Sequence, residues 1–197
     1  MGLRVSRLYS ITSMKSLRFA LVAGVLAALP LISSAAPRFY AQPSLVIVDV
    51  DNFDTAAGAS VAVGAVFGGN HVVEFETSRF ELSSSYGLNF DLTATPLLLN
   101  YRYEIATTER WLLSAGLSAG AMLEEVDFTD VYSFPGSIYH YNEKDEAFVV
   151  GFNAGIGYKI DDRLSIHASA RTLRAAKSDV FSESSFLMLQ LGLRCRF

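Results

Sequence analysis

The last twelve residues of the chain alternate between apolar and polar side chains. Leu187, Leu189, Leu191, Leu193, Cys195 and Phe197 share one parity, and Met188, Gln190, Gly192, Arg194 and Arg196 share the other. Successive side chains of a β-strand point to opposite faces of the sheet, whereas a helix would mix both classes around its surface. The segment is therefore predicted to be a strand with one apolar and one largely polar face.

The amino-terminal end has the pattern of an export signal. Lys15 and Arg18 precede an apolar run over residues 19–32, and small residues occupy positions 33–36. This order is typical of a secretory signal peptide, and the run of 14 residues is too short to span a bilayer comfortably as a helix. We predict cleavage after Ala35, with Met14 as an alternative start. Residues 1–35 then form the signal peptide and residues 36–197 the mature barrel domain.

The mature domain is acidic and still rich in apolar residues. The signal peptide holds four of the 16 basic residues and no acidic one, which leaves 12 basic and 20 acidic residues, a charge of −8. Nucleic acid is not an expected partner, because phosphate binding needs a basic surface. The single cysteine, Cys195, cannot form an internal disulfide. After Ile32 no apolar run is long enough for a membrane helix, so a closed barrel is the expected membrane-spanning structure.

Alternating segments divide the mature chain into eight predicted strands. They cover residues 43–50, 59–67, 72–78, 88–103, 111–124, 147–160, 163–172 and 186–197. Apolar residues change parity near Pro96, which predicts a β-bulge there. Turns at 68–70, 104–110 and 161–162 are short, whereas connections at 51–56, 81–87, 125–146 and 175–184 are predicted external loops. An even strand count places both mature ends in the periplasm.

Several segments resemble the small OmpA-like outer-membrane β-barrel family. They are the start Phe39, Tyr40 and Ala41, the strand at 63–67, the following Glu74, and the stretch at 114–120. The resemblance implies an all-β, eight-stranded antiparallel up-and-down transmembrane barrel in the outer membrane, preceded by a cleavable signal peptide. It covers the mature chain and predicts no peptidoglycan-binding domain.

The same resemblance implies a role for the last strand. In that family the terminal phenylalanine and the alternating residues before it form the signal that the assembly machinery recognises. The corresponding residues here are Phe197, Leu193, Leu191 and Leu189. Expected partners are the barrel-assembly machinery, periplasmic chaperones, outer-membrane lipid and lipopolysaccharide.

Many charged residues fall on the predicted inner face. They are Glu74, Glu76, Asp91, Arg102, Glu124, Lys159, Arg171, Arg194 and Arg196. An eight-stranded barrel is just wide enough inside for side chains, and buried charges are costly unless paired. We therefore expect a salt-bridge network that plugs the lumen. A conducting pore is the alternative.

His167 and Ser169 offer an enzymatic alternative. Their spacing resembles that of the outer-membrane lipid A deacylase, and Glu183 could complete a triad. Both side chains are predicted to face inward, however, and Ala170 stands where that family has asparagine. We therefore expect no catalytic residues and no enzymatic activity.

A soluble lipocalin-like binder is the second alternative. It would place the leucine and phenylalanine face inside the barrel. Trp111, Tyr101, Tyr103 and Tyr158 would then have no explanation, whereas they fit an interfacial aromatic girdle at the periplasmic ends of strands.

The external loops are the expected site of any specific function. The longest, at 125–146, combines aromatic residues with a cluster of acids and is a candidate surface for an extracellular ligand. His71 and His140 have no ligand partners at metal spacing, so neither a metal nor a cofactor is expected.

Phe197 provides the first test. Deleting this residue, or replacing it by serine, should lower insertion of the barrel and expose the chain to periplasmic proteases. The amount of folded protein in outer-membrane fractions measures the effect. Unchanged insertion would mean that the resemblance of the terminal strand is accidental.

Overall fold

Eight antiparallel strands form a closed barrel in the computed structural model, which describes residues 36–50, 53–83, 90–131, 138–176 and 185–197. The strands are β1 (Arg38–Val50), β2 (Ala56–Phe67), β3 (His71–Ser83), β4 (Phe90–Ala106), β5 (Trp111–Val131), β6 (Ile138–Lys159), β7 (Leu164–Ala176) and β8 (Ser185–Arg196). This confirms the predicted all-β, up-and-down architecture. Within those ranges no helix is long and apolar enough to cross a membrane. The predicted signal peptide at 1–35 lies outside the described residues.

The barrel closes because its first and last strands pair. Tyr40 lies opposite Arg196, and the antiparallel register continues to the far ends of β1 and β8. The Phe197 backbone N–H extends this seam by donating to the Phe39 carbonyl oxygen at 3.1 Å. A hydrocarbon layer offers no water to backbone polar groups, so the closed ring satisfies them internally.

The predicted apolar faces point outward from the barrel. Leu191 is 57% exposed, Leu45 is 70% exposed and Phe152 is 71% exposed. The same outward set includes Ile47, Val61, Val63, Phe75, Leu117, Val150, Ile156, Ile166, Leu187, Leu189 and Leu193. A continuous apolar exterior suits contact with lipid tails. The lipocalin-like alternative, which required this face inside, is therefore wrong.

The lengths of the connections between strands indicate which end of the barrel faces the periplasm. Three, four and four residues join β2 to β3, β4 to β5 and β6 to β7, whereas five, six, six and eight residues join the strands at the opposite end. Short turns are typical of the periplasmic end of outer-membrane barrels and longer loops of the external end. Both ends of the mature barrel therefore lie on the periplasmic side.

Two of the short turns contain the residues that their backbones need. Gly68 and Gly69 have φ angles of 56° and 83°, in the left-handed region that glycine enters without steric cost. In the β6–β7 turn, Asp161 Oδ1 accepts hydrogen bonds from the backbone N–H groups of Arg163 and Leu164, both at 2.7 Å. The turns predicted at 68–70 and 161–162 are thus formed.

The predicted β-bulge near Pro96 is wrong. Every β4 residue from Phe90 to Ala106 faces a β5 partner in one unbroken register, Pro96 included. Leu92 and Leu98 consequently share the inner face, and both are fully buried. The prediction assumed that all apolar residues of this strand face lipid, whereas the external end of the lumen is itself apolar.

The prediction of an external loop at 125–146 is wrong for most of its length, because these residues belong to β5 and β6. Pairing of β5 with β6 continues from Glu125 opposite Lys144 to Val131 opposite Ile138, and only six residues connect the two strands. The loop prediction failed because the acidic residues here interrupt the apolar alternation. Backbone pairing outside the membrane does not need that alternation.

An apolar layer fills the external end of the lumen. Its buried members come from all eight strands and are Val46, Val48, Val50, Ala56, Phe80, Leu82, Leu92, Ala94, Leu98, Met122, Ala147, Val149, Leu173, Ala175, Phe186 and Met188. Phe53, from the β1–β2 connection, packs against this layer. The barrel therefore has a conventional hydrophobic core at one end.

Candidate functional site

Below the apolar layer, towards the periplasm, the lumen contains buried charges. We call this group the polar layer; its charged members are Glu74, Glu76, Arg102, Glu104, Arg171 and Arg194, none more than 4% exposed. Each of the three acids forms an ion pair with one of the three arginines. Pairing of this kind is what buried charges require, because an uncompensated charge away from water is costly.

The first pair joins neighbouring strands. Arg102 Nη2 on β4 donates to Glu74 Oε2 on β3 at 2.8 Å. The Tyr40 hydroxyl donates to the same oxygen at 2.5 Å, and Asn100 Nδ2 donates to Glu74 Oε1 at 3.0 Å. Both carboxylate oxygens of Glu74 are therefore satisfied within the barrel.

The second pair crosses the barrel from β3 to β7. Arg171 Nη1 and Nη2 donate to the two oxygens of Glu76 at 3.0 and 2.6 Å. This two-bond geometry is the strong form of a guanidinium–carboxylate contact. Asn100 Nδ2 donates to Glu76 at 2.8 Å, and Gln190 Nε2 also donates to it. Asn100 thus connects the first two pairs.

The third pair crosses from β4 to β8. Arg194 Nη1 donates to Glu104 Oε1 at 2.7 Å, and Arg194 Nε donates to Gln42 Oε1 at 3.1 Å. The Arg194 guanidinium carbon lies 4.2 Å from the centre of the Tyr40 ring, within cation–π distance. Tyr40 therefore contacts both the first and the third pair.

Glycines on the inner wall make room for two rings. A Cβ at Gly64 would lie 2.7 Å from the Tyr40 ring, and one at Gly157 would lie 2.7 Å from the His167 ring. Both distances are shorter than van der Waals contact allows. Glycine at these positions leaves room for the Tyr40 ring beside β2 and for the His167 ring beside β6.

The structure brings together five of the nine residues predicted for the lumen network, namely Glu74, Glu76, Arg102, Arg171 and Arg194. Glu124 is buried on β5, opposite Ala94 and Asp145 and beside the apolar layer. Lys159 and Arg196 are half-buried at the periplasmic mouth. Asp91 pairs with Asp127 through the backbone, and its side chain lies outside the described part of the chain.

Sequence analysis missed Glu104, Tyr40, Gln42, Asn100 and Gln190 as members of the polar layer. Glu104 was assigned to a turn, yet it continues the parity of Asn100 and Arg102 in β4. The alternation of inward-facing residues in β4, continued two residues beyond Arg102, includes Glu104. Neutral side chains carry no such signal, because their role depends on which carboxylates they meet across the lumen.

His167 does not contact Ser169. Its Nε2 lies 2.9 Å from the Ser165 hydroxyl, whereas the Ser169 hydroxyl donates to Gln190 Oε1 at 3.2 Å. His167 faces the lumen, as predicted, and Glu183 lies outside the described residues. Among the described residues, no group of three His, Cys, Asp or Glu side chains could hold a metal ion.

Aromatic residues gather on the outer surface near the periplasmic ends of strands. Trp111 and Tyr158 stack edge to face with centroids 4.9 Å apart. His71 Nδ1 lies 2.8 Å from the Tyr101 hydroxyl, and its ring packs edge to face with Tyr103. All four predicted girdle residues therefore lie together on the outer surface at this end of the barrel, which is the arrangement expected of an interfacial aromatic girdle.

The family model for the outer membrane protein beta-barrel domain matches residues 19–197. The chain belongs to this family. It is accordingly an integral β-barrel protein of the outer membrane, which confirms the predicted fold, family and location. A comparison with curated protein sequences finds no match.

Solved outer-membrane barrels share the fold at low sequence identity. Neisserial surface protein A is 14% identical with a TM-score of 0.65, over 83% of this chain and 100% of that one. A major outer membrane protein from Thermus thermophilus is 12% identical with a TM-score of 0.58, over 83% and 100%. The attachment invasion locus protein Ail of Yersinia pestis is 15% identical with a TM-score of 0.54, over 82% and 97%. Similarity at this level shows a common fold.

The pair that crosses from β3 to β7 can be tested by stability measurements. Arg171→Met should lower the free energy of unfolding by about 3–5 kcal/mol, because it leaves the Glu76 carboxylate buried without its cation. The double variant Glu76→Gln with Arg171→Met should recover part of this loss. Urea unfolding of the purified barrel in lipid vesicles measures both.

The matched control is an ion pair on the outer surface. Lys144 and Glu125 lie 2.8 Å apart, with side chains 71% and 40% exposed. Lys144→Met should change the free energy of unfolding by about 0–1 kcal/mol. Equal losses for Arg171→Met and Lys144→Met would show that Arg171 does not compensate Glu76.

Proposed function

We propose that this protein is a sealed outer-membrane barrel that makes surface contacts through its β5–β6 hairpin. The observation that carries the proposal is the length of that hairpin. β7 ends at Ala176, opposite Phe148, whereas β6 begins at Ile138. About 30 Å of β6 therefore extends beyond the last described residue of β7, at roughly 3.3 Å per residue. No other hairpin in the described part of the chain rises as far.

The projecting part of β6 offers backbone groups to a partner. Between residues 138 and 147, β6 pairs with β5 on one side, and its described pairing with β7 begins at Phe148. A strand that projects beyond its described neighbour can accept an extended segment of another chain as an additional strand. We infer that the extracellular partner is a protein that presents such a segment.

The negative charge of the β5–β6 hairpin favours a cationic partner. Residues 124–146 contain seven acidic residues and one lysine. A segment carrying positive charge would complement this hairpin and be attracted to it over a distance. Ail has been solved with the heparin analogue sucrose octasulfate, a polyanion, and we expect such a ligand to be repelled here. The similar folds of an attachment invasion locus protein and of a neisserial surface protein support a surface role by analogy.

Shortening the hairpin tests this role. Deleting residues 127–131 together with 138–142 removes paired residues and preserves the register below. We expect normal assembly, seen as a heat-dependent shift on gels, and loss of binding of the bacteria to host cells or to cationic extracellular proteins. Bacteria with the shortened hairpin should bind no better than bacteria that lack the protein. If they bind as well as bacteria with the unchanged protein, the hairpin is not the contact.

The control should change exposed residues on the periplasmic side. Asp162→Asn alters the exposed turn between β6 and β7, at the opposite end of the barrel. This variant should bind as well as the unchanged protein. A loss in both variants would point to an indirect effect on the cell envelope.

We also propose that the lumen does not conduct and has no catalytic activity. Two side-chain pairs cross the lumen in the polar layer, and the apolar layer lies above them. An eight-stranded barrel has little interior volume beyond its own side chains. His167 and Ser169 both face this interior, away from the lipid that a deacylase must reach.

Two measurements test the proposal of a silent barrel. Planar-bilayer recordings should show little or no stable conductance. Mass spectrometry of lipid A from cells with and without the protein should show the same acyl chains. A large, stable conductance would support the pore alternative, and loss of an acyl chain that requires His167 and Ser169 would support the deacylase.

Assembly is the remaining part of the proposal. Leu189, Leu191 and Leu193 lie on the outer face of β8, and Phe197 is 82% exposed at the periplasmic end. This placement makes the set available to the barrel-assembly machinery and to periplasmic chaperones while the barrel is still forming. The outward face then contacts outer-membrane lipid and lipopolysaccharide.

A further inference from the structure

Cations remain at the periplasmic mouth of the lumen after the three ion pairs have formed. Lys159 and Arg196 are half-buried and have the inward parity of β6 and β8, and Arg38 lies exposed at the rim. Within the described part of the chain, none of these three side chains has an ion pair or a hydrogen bond. The inner wall at the mouth therefore carries cations beyond those in the three ion pairs, although the chain is acidic overall.

Strand register places these cations beside Arg194. Lys159 lies opposite Ser165 on β7, and Ser165 lies opposite Arg194 on β8. Arg196 follows on the same face as Arg194, about 7 Å further along the strand. The inner wall formed by β6, β7 and β8 thus presents three cationic groups within one small area.

Two guanidinium N–H groups in this area have no hydrogen-bond acceptor among the described residues. The Arg194 side chain is 0% exposed, and its Nη2 has no hydrogen-bond partner among the described residues. Arg196 Nε is also buried without one. Glu104 is the acid that faces both arginines, and its carboxylate is already bonded to Arg194 Nη1. Buried donors normally have a partner, so these two N–H groups are positions where an acceptor from outside the described residues can bind.

We propose that the periplasmic mouth of the barrel binds a phosphoryl group through Arg194, Arg196 and Lys159. A phosphoryl group offers several acceptor oxygens and about two negative charges, which match the two free guanidinium N–H groups and the neighbouring ammonium. Arginine binds such oxygens with its planar array of donors, and lysine contributes a point charge. The group enters from the periplasm, because the ion pairs of Glu74 and Glu76 and the apolar layer lie on the external side of the site.

The phosphoryl group can come from a soluble periplasmic phosphate compound or from a phospholipid headgroup of the inner leaflet. The two sources share the same chemistry at the site. In a phospholipid bilayer a headgroup is already present, whereas a soluble phosphate compound must be added. Lipid-free and lipid-containing preparations of the barrel therefore separate them.

The test uses the full-length purified protein in octyl glucoside micelles, which contain no phosphate. Inorganic phosphate is titrated while the backbone amide resonances of Ser165, Arg194 and Arg196 are followed by NMR. We expect saturable shifts of these resonances. The double variant Lys159→Gln with Arg196→Gln should bind phosphate at least about tenfold more weakly, because it removes two charge-assisted contacts.

The control variant removes one cation at the same end of the barrel but outside the lumen. Arg110 lies in the β4–β5 turn and donates to the hydroxyl of the outward-facing Tyr158. Arg110→Gln should bind phosphate as the unchanged protein does. Absence of saturable shifts, or equal weakening by Arg110→Gln, would overturn the proposal.

Stability provides a second measurement that does not depend on NMR assignment. Phosphate should raise the free energy of unfolding of the unchanged protein, because a ligand that binds only the folded state stabilises it. The double variant should fold normally, as seen on gels, and should gain nothing. An equal gain in both proteins would contradict the assigned site.

Phospholipid nanodiscs identify the source of the group. If a lipid headgroup fills the site, the Arg194 resonance in phosphatidylglycerol nanodiscs already matches that of the phosphate-saturated micelle, and added phosphate changes nothing. If the ligand is soluble, the resonance shifts only when phosphate is added. A resonance that the double variant leaves unchanged under all conditions would exclude both sources.

Discussion

Pairing of β1 with β8 is the constraint on which the rest of the structure depends. Without this seam, two strand edges would expose their backbone N–H and C=O groups to hydrocarbon, at a cost of several kcal/mol for each unsatisfied group. Closure also fixes which face of each strand is inside. Once β8 joins β1 with Tyr40 opposite Arg196, every inward residue belongs to one narrow lumen.

The narrow lumen is filled in two different ways along its axis. Its external end contains an apolar core to which every strand contributes, with side chains such as Leu82 and Met122 fully buried. Its periplasmic part contains three acids and three arginines in pairs. Burial of the apolar core stabilises the fold by removing apolar surface from water. Pairing of the buried charges offsets the desolvation cost that each charge would have alone.

The two ends of the barrel consequently differ in what they offer to their surroundings. At the external end, β6 continues beyond the last described residue of β7, and the sequence of the β5–β6 hairpin is acidic. At the periplasmic end, Lys159 and Arg196 leave the mouth of the lumen positively charged. The proposed protein partner and the proposed phosphoryl ligand thus have charges of opposite sign and bind on opposite sides of the membrane.

The sequence by itself determined the number of strands, their order and most of the lipid-facing residues, because the two-residue period of a strand is visible wherever one face meets lipid. It also located Glu74, Arg102, Arg171 and Arg194 on the inner face. Its resemblance to the small OmpA-like family added the location. Tertiary structure decided the rest, since pairs such as Glu104 with Arg194 join strands 90 residues apart in the chain. The period gives no information where both faces of a strand are apolar, as at Leu92, or where the strand leaves the membrane, as in the β5–β6 hairpin. In those places only the register with neighbouring strands shows where a residue lies.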